Sequence, residues 1–172
     1  MSKSVKDLLF GLKINKVEGD FNCQKNQLTS LEGSPKTVGG DFRCDRNKLT
    51  SLEGAPKTVG GTFGCDYNEL TSLEGGPKTI GEFYFVNNNE LTSLKGAPKK
   101  VINFACYKNK LTSLEGSPKI VEGSFNCGYN KLTSLDGGPK IVKNNFICSF
   151  NPKKFTEEEV RKYIDVKGEI RT

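Results

Sequence analysis

Hydrophobic residues return along this chain at a fixed interval. Counted from the first leucine of each Leu-Thr-Ser-Leu, the repeats begin at Leu28, Leu49, Leu70, Leu91, Leu111 and Leu132, with spacings of 21, 21, 21, 20 and 21 residues. A period of this size marks a solenoid, in which each unit buries its apolar face against the next. An aromatic column runs Phe21, Phe42, Phe63, Tyr84, Phe104, Phe125, Phe146. Two residues on stands a second column: Cys23, Cys44, Cys65, Val86, Cys106, Cys127, Cys148. A β-branched column precedes both: Val17, Val38, Val59, Ile80, Val101, Val121, Val142.

The two-residue offset between the aromatic and the thiol puts both on one face of a strand. The pattern therefore predicts seven like-directed short strands, stacked as a parallel sheet roughly 34 Å long at ~4.8 Å per strand. Asparagine recurs at Asn26, Asn47, Asn68, Asn89, Asn109, Asn130 and Asn151. A buried asparagine can satisfy backbone groups that a sharp bend leaves unpaired. The outer side of each turn carries Pro35, Pro56, Pro77, Pro98, Pro118 or Pro139 and is too short for a helix, so it should be extended or polyproline-like. Most turns place three residues between the β-branched and aromatic columns, with a Gly-Gly pair at Gly39-Gly40 and Gly60-Gly61. Val101 and Phe104 are closer by one. The extra residue suggests a bulge at the strand entrance.

The ends depart from the repeat, as solenoid caps do. Thr156 and Glu159 form a capping-box pattern ahead of Val160, Tyr163 and Ile164, which predicts a helix over 156–164. Val166 to Ile170 could add a final strand. Ser4 and Asp7 start a short N-terminal helix carrying Leu8, Leu9 and Leu12. The whole reads as one domain, 1–172, with an N-terminal cap at 1–16, repeats at 17–151 and a C-terminal cap at 152–172.

The segment Phe42-Arg-Cys44-Asp-Arg-Asn47-Lys-Leu49 resembles the leucine-rich-repeat core L-x-L-x-x-N-x-L, with Phe and Cys in two leucine positions. The remainder, LTSLEGAPKTV, is similar to the short proline-containing repeats of bacterial leucine-rich-repeat effectors and of phage proteins built from the same unit. The resemblance runs from Val17 to Asn151. It implies a β-rich, right-handed leucine-rich-repeat solenoid and a binding role, and it names no partner. A phage origin would place the chain in the host cytoplasm, acting on a host factor.

Composition narrows the function. Only 34% of the 172 residues are hydrophobic, which a thin repetitive core tolerates better than a globule does. The net charge of +6 permits an anionic partner without demanding one. The sequence shows no secretory signal and no stretch of transmembrane length, so a cytoplasmic, membrane-free protein is expected. With no histidine, no paired acids at a plausible pocket and no cofactor motif, an enzyme is not expected and no cofactor is assigned. The six cysteines show no Cys-x-x-Cys pair, and Val86 replaces one of them. They read as buried free thiols, not as metal ligands.

Two surfaces remain as candidates. The first is the strand face, where residues vary while the inward columns do not. Arg43, Phe85 and Ile147 lie between the aromatic and thiol columns, Phe83 just before, and Tyr67, Tyr107, Tyr129 and Phe150 just after. Phe83, Phe85, Tyr67 and Tyr107 should meet in the middle turns as a patch for a partner protein, unless Phe83 and Phe85 pack only on each other. The second is a lysine column, Lys36, Lys57, Lys78, Lys99, Lys119 and Lys140, that could follow a nucleic-acid backbone. A nearby acidic column, Glu32, Glu53, Glu74, Glu115 and Asp136, should screen it. Protein recognition is the leading reading. Polyanion binding and a self-assembling structural role are the alternatives, with a monomer or weak homo-oligomer expected.

Overall fold

The computed structural model describes residues 3–172 and is a parallel β-solenoid. Phe21–Asn22, Phe42–Arg43, Phe63–Gly64, Phe83–Phe85, Asn103–Ala105, Phe125–Asn126 and Phe146–Ile147 stack in order. Ile170–Arg171 closes this sheet as its eighth strand. Like residues face like: Phe42 pairs with Phe63, Phe63 with Tyr84, Phe104 with Phe125. The aromatic rings form one continuous stack, with adjacent centroids such as Phe42 and Phe63 5.7 Å apart. Every ring of the aromatic column from Phe42 to Phe146 is buried, together with the leucine and thiol columns and the β-branched column from Val38 to Val142.

The β-branched column builds a second parallel layer. It is split into two four-stranded sheets. One holds Lys16–Val17, Thr37–Val38, Thr58–Val59 and Thr79–Ile80. The other holds Lys100–Val101, Ile120–Val121, Ile141–Val142 and Asp165–Val166. A bend joins the two layers within each turn. There Gly81 has its α-carbon so close to the turn below that a Cβ would lie 1.7 Å from the Gly60 carbonyl oxygen, which only glycine allows.

The glycine-rich bends are not bulges. Between turns of 21 residues the hydrogen bonds continue through the bend, as from Gly60 N–H to the Val38 carbonyl and from Gly61 N–H to the Gly40 carbonyl. A bulge sets two residues against one. That mismatch occurs where a residue is missing: Gly81 and Glu82 stand against Ile102 alone, between Ile80 and Val101, which do not pair, and the Phe83–Asn103 pair.

The asparagines behave as the bend requires. Asn68 accepts from the Leu49 N–H at 3.0 Å and donates to the carbonyls of Cys44 and Cys65 at 3.1 and 3.3 Å. Each asparagine from Asn47 to Asn151 repeats this bridge between its own turn and the one before.

Both caps form. A helix at Glu157–Tyr163 carries the Thr156–Glu159 capping box and buries Val160. The expected strand over 166–170 is two strands, Asp165–Val166 and Ile170–Arg171, each extending a different layer. The N-terminal helix, Val5–Leu8, has the Ser4–Asp7 capping box and buries Val5. Leu12 lies beyond it and is exposed, so it is not part of the apolar face expected there. No described helix is long and apolar enough to cross a membrane.

Candidate functional site: the strand face and its aromatic corner

Two residues after each thiol, and one before each asparagine, the backbone turns through a left-handed conformation. Lys25, Arg46, Tyr67, Asn88, Lys108, Tyr129 and Phe150 occupy this corner, with φ between 53° and 59°. None is glycine. Holding a bulky residue there costs of order 1 kcal/mol, which the asparagine bridge at the next position offsets. The corner presents its side chains to solvent: Tyr67, Tyr129 and Phe150 are 45%, 48% and 68% exposed. The same position accepts lysine, arginine and asparagine, so the fold does not require an aromatic.

The corner residues form two groups. In the first, the Arg46 guanidinium sits 4.6 Å from the Tyr67 ring centroid. In the second, the Lys108 ammonium lies 6.0 Å from the Tyr107 ring and 5.8 Å from the Tyr129 ring. Tyr129 in turn stacks on Phe150 at 4.3 Å. Tyr107, Lys108, Tyr129 and Phe150 thus make one continuous cationic and aromatic run along the last turns. Such cation–π contacts contribute roughly 0.5–1 kcal/mol when exposed.

The strand face is a separate locus. Phe83 and Phe85 stack on each other at 5.2 Å, and among the described residues neither ring contacts Tyr67 or Tyr107. The single middle-turn patch expected from the sequence is therefore resolved into a Phe83–Phe85 pair and the corner groups. Arg43 pairs with Asp41 at 3.4 Å and lies over Gly64, where a Cβ would come 2.9 Å from its Cδ. Ile147 is half-buried between Asn126 and Arg171, away from the Phe pair. The residues not singled out from the sequence are Arg46 and Lys108. Their signal was positional, since they occupy the same repeat position as Tyr67, Tyr129 and Phe150.

Beside the corner runs a ladder of short polar side chains. Asp45 accepts from the Asp66 N–H at 2.9 Å, Asp66 from the Asn87 N–H at 2.6 Å, and Asn87 from the Tyr107 N–H at 3.0 Å. Burial pushes the Asp66 carboxyl up to about 6, against the pull of its bond from Asn87. The ladder fixes the strand ends that carry the corner residues.

The six post-proline lysines are all exposed. Among the described residues none of them forms an ion pair, with the acidic column or with any other carboxylate. Glu32 pairs with Lys6 and Glu74 with Lys95 instead. Lys78 and Lys119 donate to the carbonyls of Gly96 and Gly137. The six cysteines are free and buried. The Sγ atoms of Cys23, Cys44, Cys106 and Cys127 face backbone carbonyls of the following turn, as from Cys44 to Gly64 at 3.3 Å.

No family model, no curated protein and no solved structure matches this chain.

Proposed function

We propose that the chain is a leucine-rich-repeat-type binding module that recognises a partner protein through its aromatic corner and strand face. The observation that carries this reading is the run Tyr107–Lys108–Tyr129–Phe150. Tyr129 and Phe150 are exposed and Tyr107 is half-buried, at positions where other turns carry residues such as glutamine, aspartate, lysine, arginine or asparagine. Aromatic side chains with an interleaved cation, held on a rigid scaffold, are the residue types that dominate protein interfaces. Two adjacent rings fixed by their own contacts lose little freedom on binding. The Phe83–Phe85 pair and Arg43 extend the surface toward the strand face. The likeness of the repeat to bacterial and phage proteins points to a host factor as the partner.

The test is affinity capture from host lysate with the wild-type chain and with two double variants, Tyr129→Ala with Phe150→Ala and Phe85→Asp with Tyr107→Ala. Both should keep the wild-type circular dichroism spectrum. Loss of a specifically captured protein by either variant supports the reading. Undiminished capture by both removes it.

A second reading, a polyanion running along the lysine column, is favoured by the absence of ion pairs at those six side chains. A gel shift that weakens steeply with salt would support it. No shift at low salt would dismiss it.

A further inference from the structure

The second layer is interrupted at one place. Strand Thr79–Ile80 pairs only with the strand before it, and strand Lys100–Val101 only with the strand after it. Elsewhere each turn donates to its predecessor at two fixed points. Lys78 N–H bonds to the Lys57 carbonyl and Gly81 N–H to the Val59 carbonyl. Beyond the interruption, Lys119 N–H bonds to the Lys99 carbonyl and Glu122 N–H to the Val101 carbonyl. The two bonds that would link the fourth and fifth turns, from Lys99 to Lys78 and from Ile102 to Ile80, are not made among the described residues.

The cause is the short turn. Asn103 is drawn into the first sheet, where the three-residue strands Phe83–Phe85 and Asn103–Ala105 pair throughout. With one residue fewer between Val101 and Phe104, the chain cannot also hold register at Lys99–Ile102. The missing length is taken from the second layer, which opens.

The opening is a groove of about 740 Å³. Ile80, Ala97, Pro98, Val101 and Ile102 supply apolar lining, and Lys78, Lys99 and Lys100 supply positive charge. Ile102 is 43% exposed where the corresponding bend residues of other turns are mostly glycine or glutamate. Lys100 is held by Glu122, but among the described residues Lys99 has no acidic partner and Lys78 is tied only to the Gly96 carbonyl. Among the described residues, none that lines the groove is acidic.

We propose that this groove binds an extended, acidic segment of a partner protein by strand addition. The unpaired main-chain groups at Lys78, Ile80, Lys99 and Ile102 supply the ladder. Alternate side chains of the segment then point to the apolar lining and to the Lys78 and Lys99 ammonium groups. Charge complementarity selects an acidic occupant over a basic one. The groove lies on the second layer, apart from the aromatic corner, so either site can fail its test without deciding the other.

The probes are a fluorescent peptide alternating glutamate and valine, its lysine–valine counterpart, and oligothymidylate. Anisotropy is read at low salt. The acidic peptide should bind, and the basic peptide should not. Lys78→Glu with Lys99→Glu should weaken binding about tenfold or more. Insertion of one glycine between Ile102 and Asn103 restores the 21-residue turn and should close the groove, abolishing binding with every lysine kept. Unaltered affinity in a folded insertion variant would overturn the proposal. So would failure of the acidic peptide to bind, or binding of oligothymidylate alone, which would move the lysines to the polyanion reading. If the insertion variant does not fold, the charge-reversal variant decides, since both lysines are exposed.

Discussion

The hydroxyl of Tyr84 occupies the space that a side chain on Gly76 would need. A Cβ at Gly76 would come 2.9 Å from the Tyr84 Oη and 2.9 Å from the Leu52 Cδ1. Turns with Phe in the aromatic column carry serine or alanine at the equivalent position in Ser34, Ala55, Ala97 and Ser117, and glycine at Gly138, where Ile164 of the C-terminal cap approaches instead. The tyrosine and the glycine thus compensate each other in the fourth turn. The Tyr84 hydroxyl is nevertheless buried without a hydrogen-bond partner, and its ring is tilted 38° from Phe63.

Tyr84→Phe removes the unsatisfied hydroxyl and should stabilise the fold by about 1 kcal/mol. Gly76→Ala should destabilise by roughly 1–3 kcal/mol through overpacking. In the Tyr84→Phe background the same Gly76→Ala change should cost less, because the hydroxyl contact is gone and only those with Leu52 Cδ1 and the Leu73 carbonyl oxygen remain. Urea denaturation of the four chains gives this coupling directly. Equal cost in both backgrounds would contradict the pairing.

The asparagine bridges should dominate the polar contribution to stability. Asn109 accepts from the Leu91 N–H and donates to the Val86 and Cys106 carbonyls at distances near 3.0 Å. Asn109→Ala leaves these buried groups unpaired and should cost on the order of 3 kcal/mol. Asn68→Ala should cost about the same, because the partners are backbone atoms and the exchange of a thiol for Val86 leaves them in place. The urea midpoints of the two variants check this.

Asp66 should make stability depend on pH. Its folded carboxyl titrates at about 6, above the ordinary 3.8, chiefly because it is buried. The folded state therefore prefers the protonated form. The penalty is absent below the unfolded value, grows between about pH 4 and 6, and is full above 6. A shift of this size corresponds to roughly 3 kcal/mol, reduced to on the order of 1 because the group is partly solvated. Asp66→Asn keeps the acceptor for Asn87 and should raise the melting temperature at pH 7.5 but not at pH 4. An equal effect at both would exclude this origin.

The thiols should be inert while the chain is folded. Burial pushes Cys23 up to about 12 and Cys148 up to about 11, and raises Cys44, Cys106 and Cys127 as well. A thiolate is the reactive form. Ellman's reagent at pH 8 should label none of the six cysteines until denaturant is added. Rapid labelling of Cys44 or Cys127 in the native chain would show that the column opens.

Much of the fold was legible because it repeats. The stacking of Phe42 on Phe63, the asparagine bridges and both capping boxes follow from residue type and interval alone. The exceptions follow from context. The Gly-Gly bends look like bulges to a single-turn reading, yet a residue shared by adjacent turns leaves the register between them unchanged. The true mismatch lies where one residue is absent.

The candidate sites were legible as residues but not as groups. Variable outward positions identified Tyr107, Tyr129 and Phe150. The structure adds Lys108, which joins them, and separates Phe83 and Phe85 from them.

By itself, then, the sequence determined the coil and its inward columns. An interval of 21 residues with fixed apolar positions admits one way of burying them all, turn upon turn. Only the tertiary structure decided where the second layer opens and which exposed rings touch. Both depend on how a one-residue shortage is shared between two sheets, and on side-chain positions between turns, which no single repeat contains.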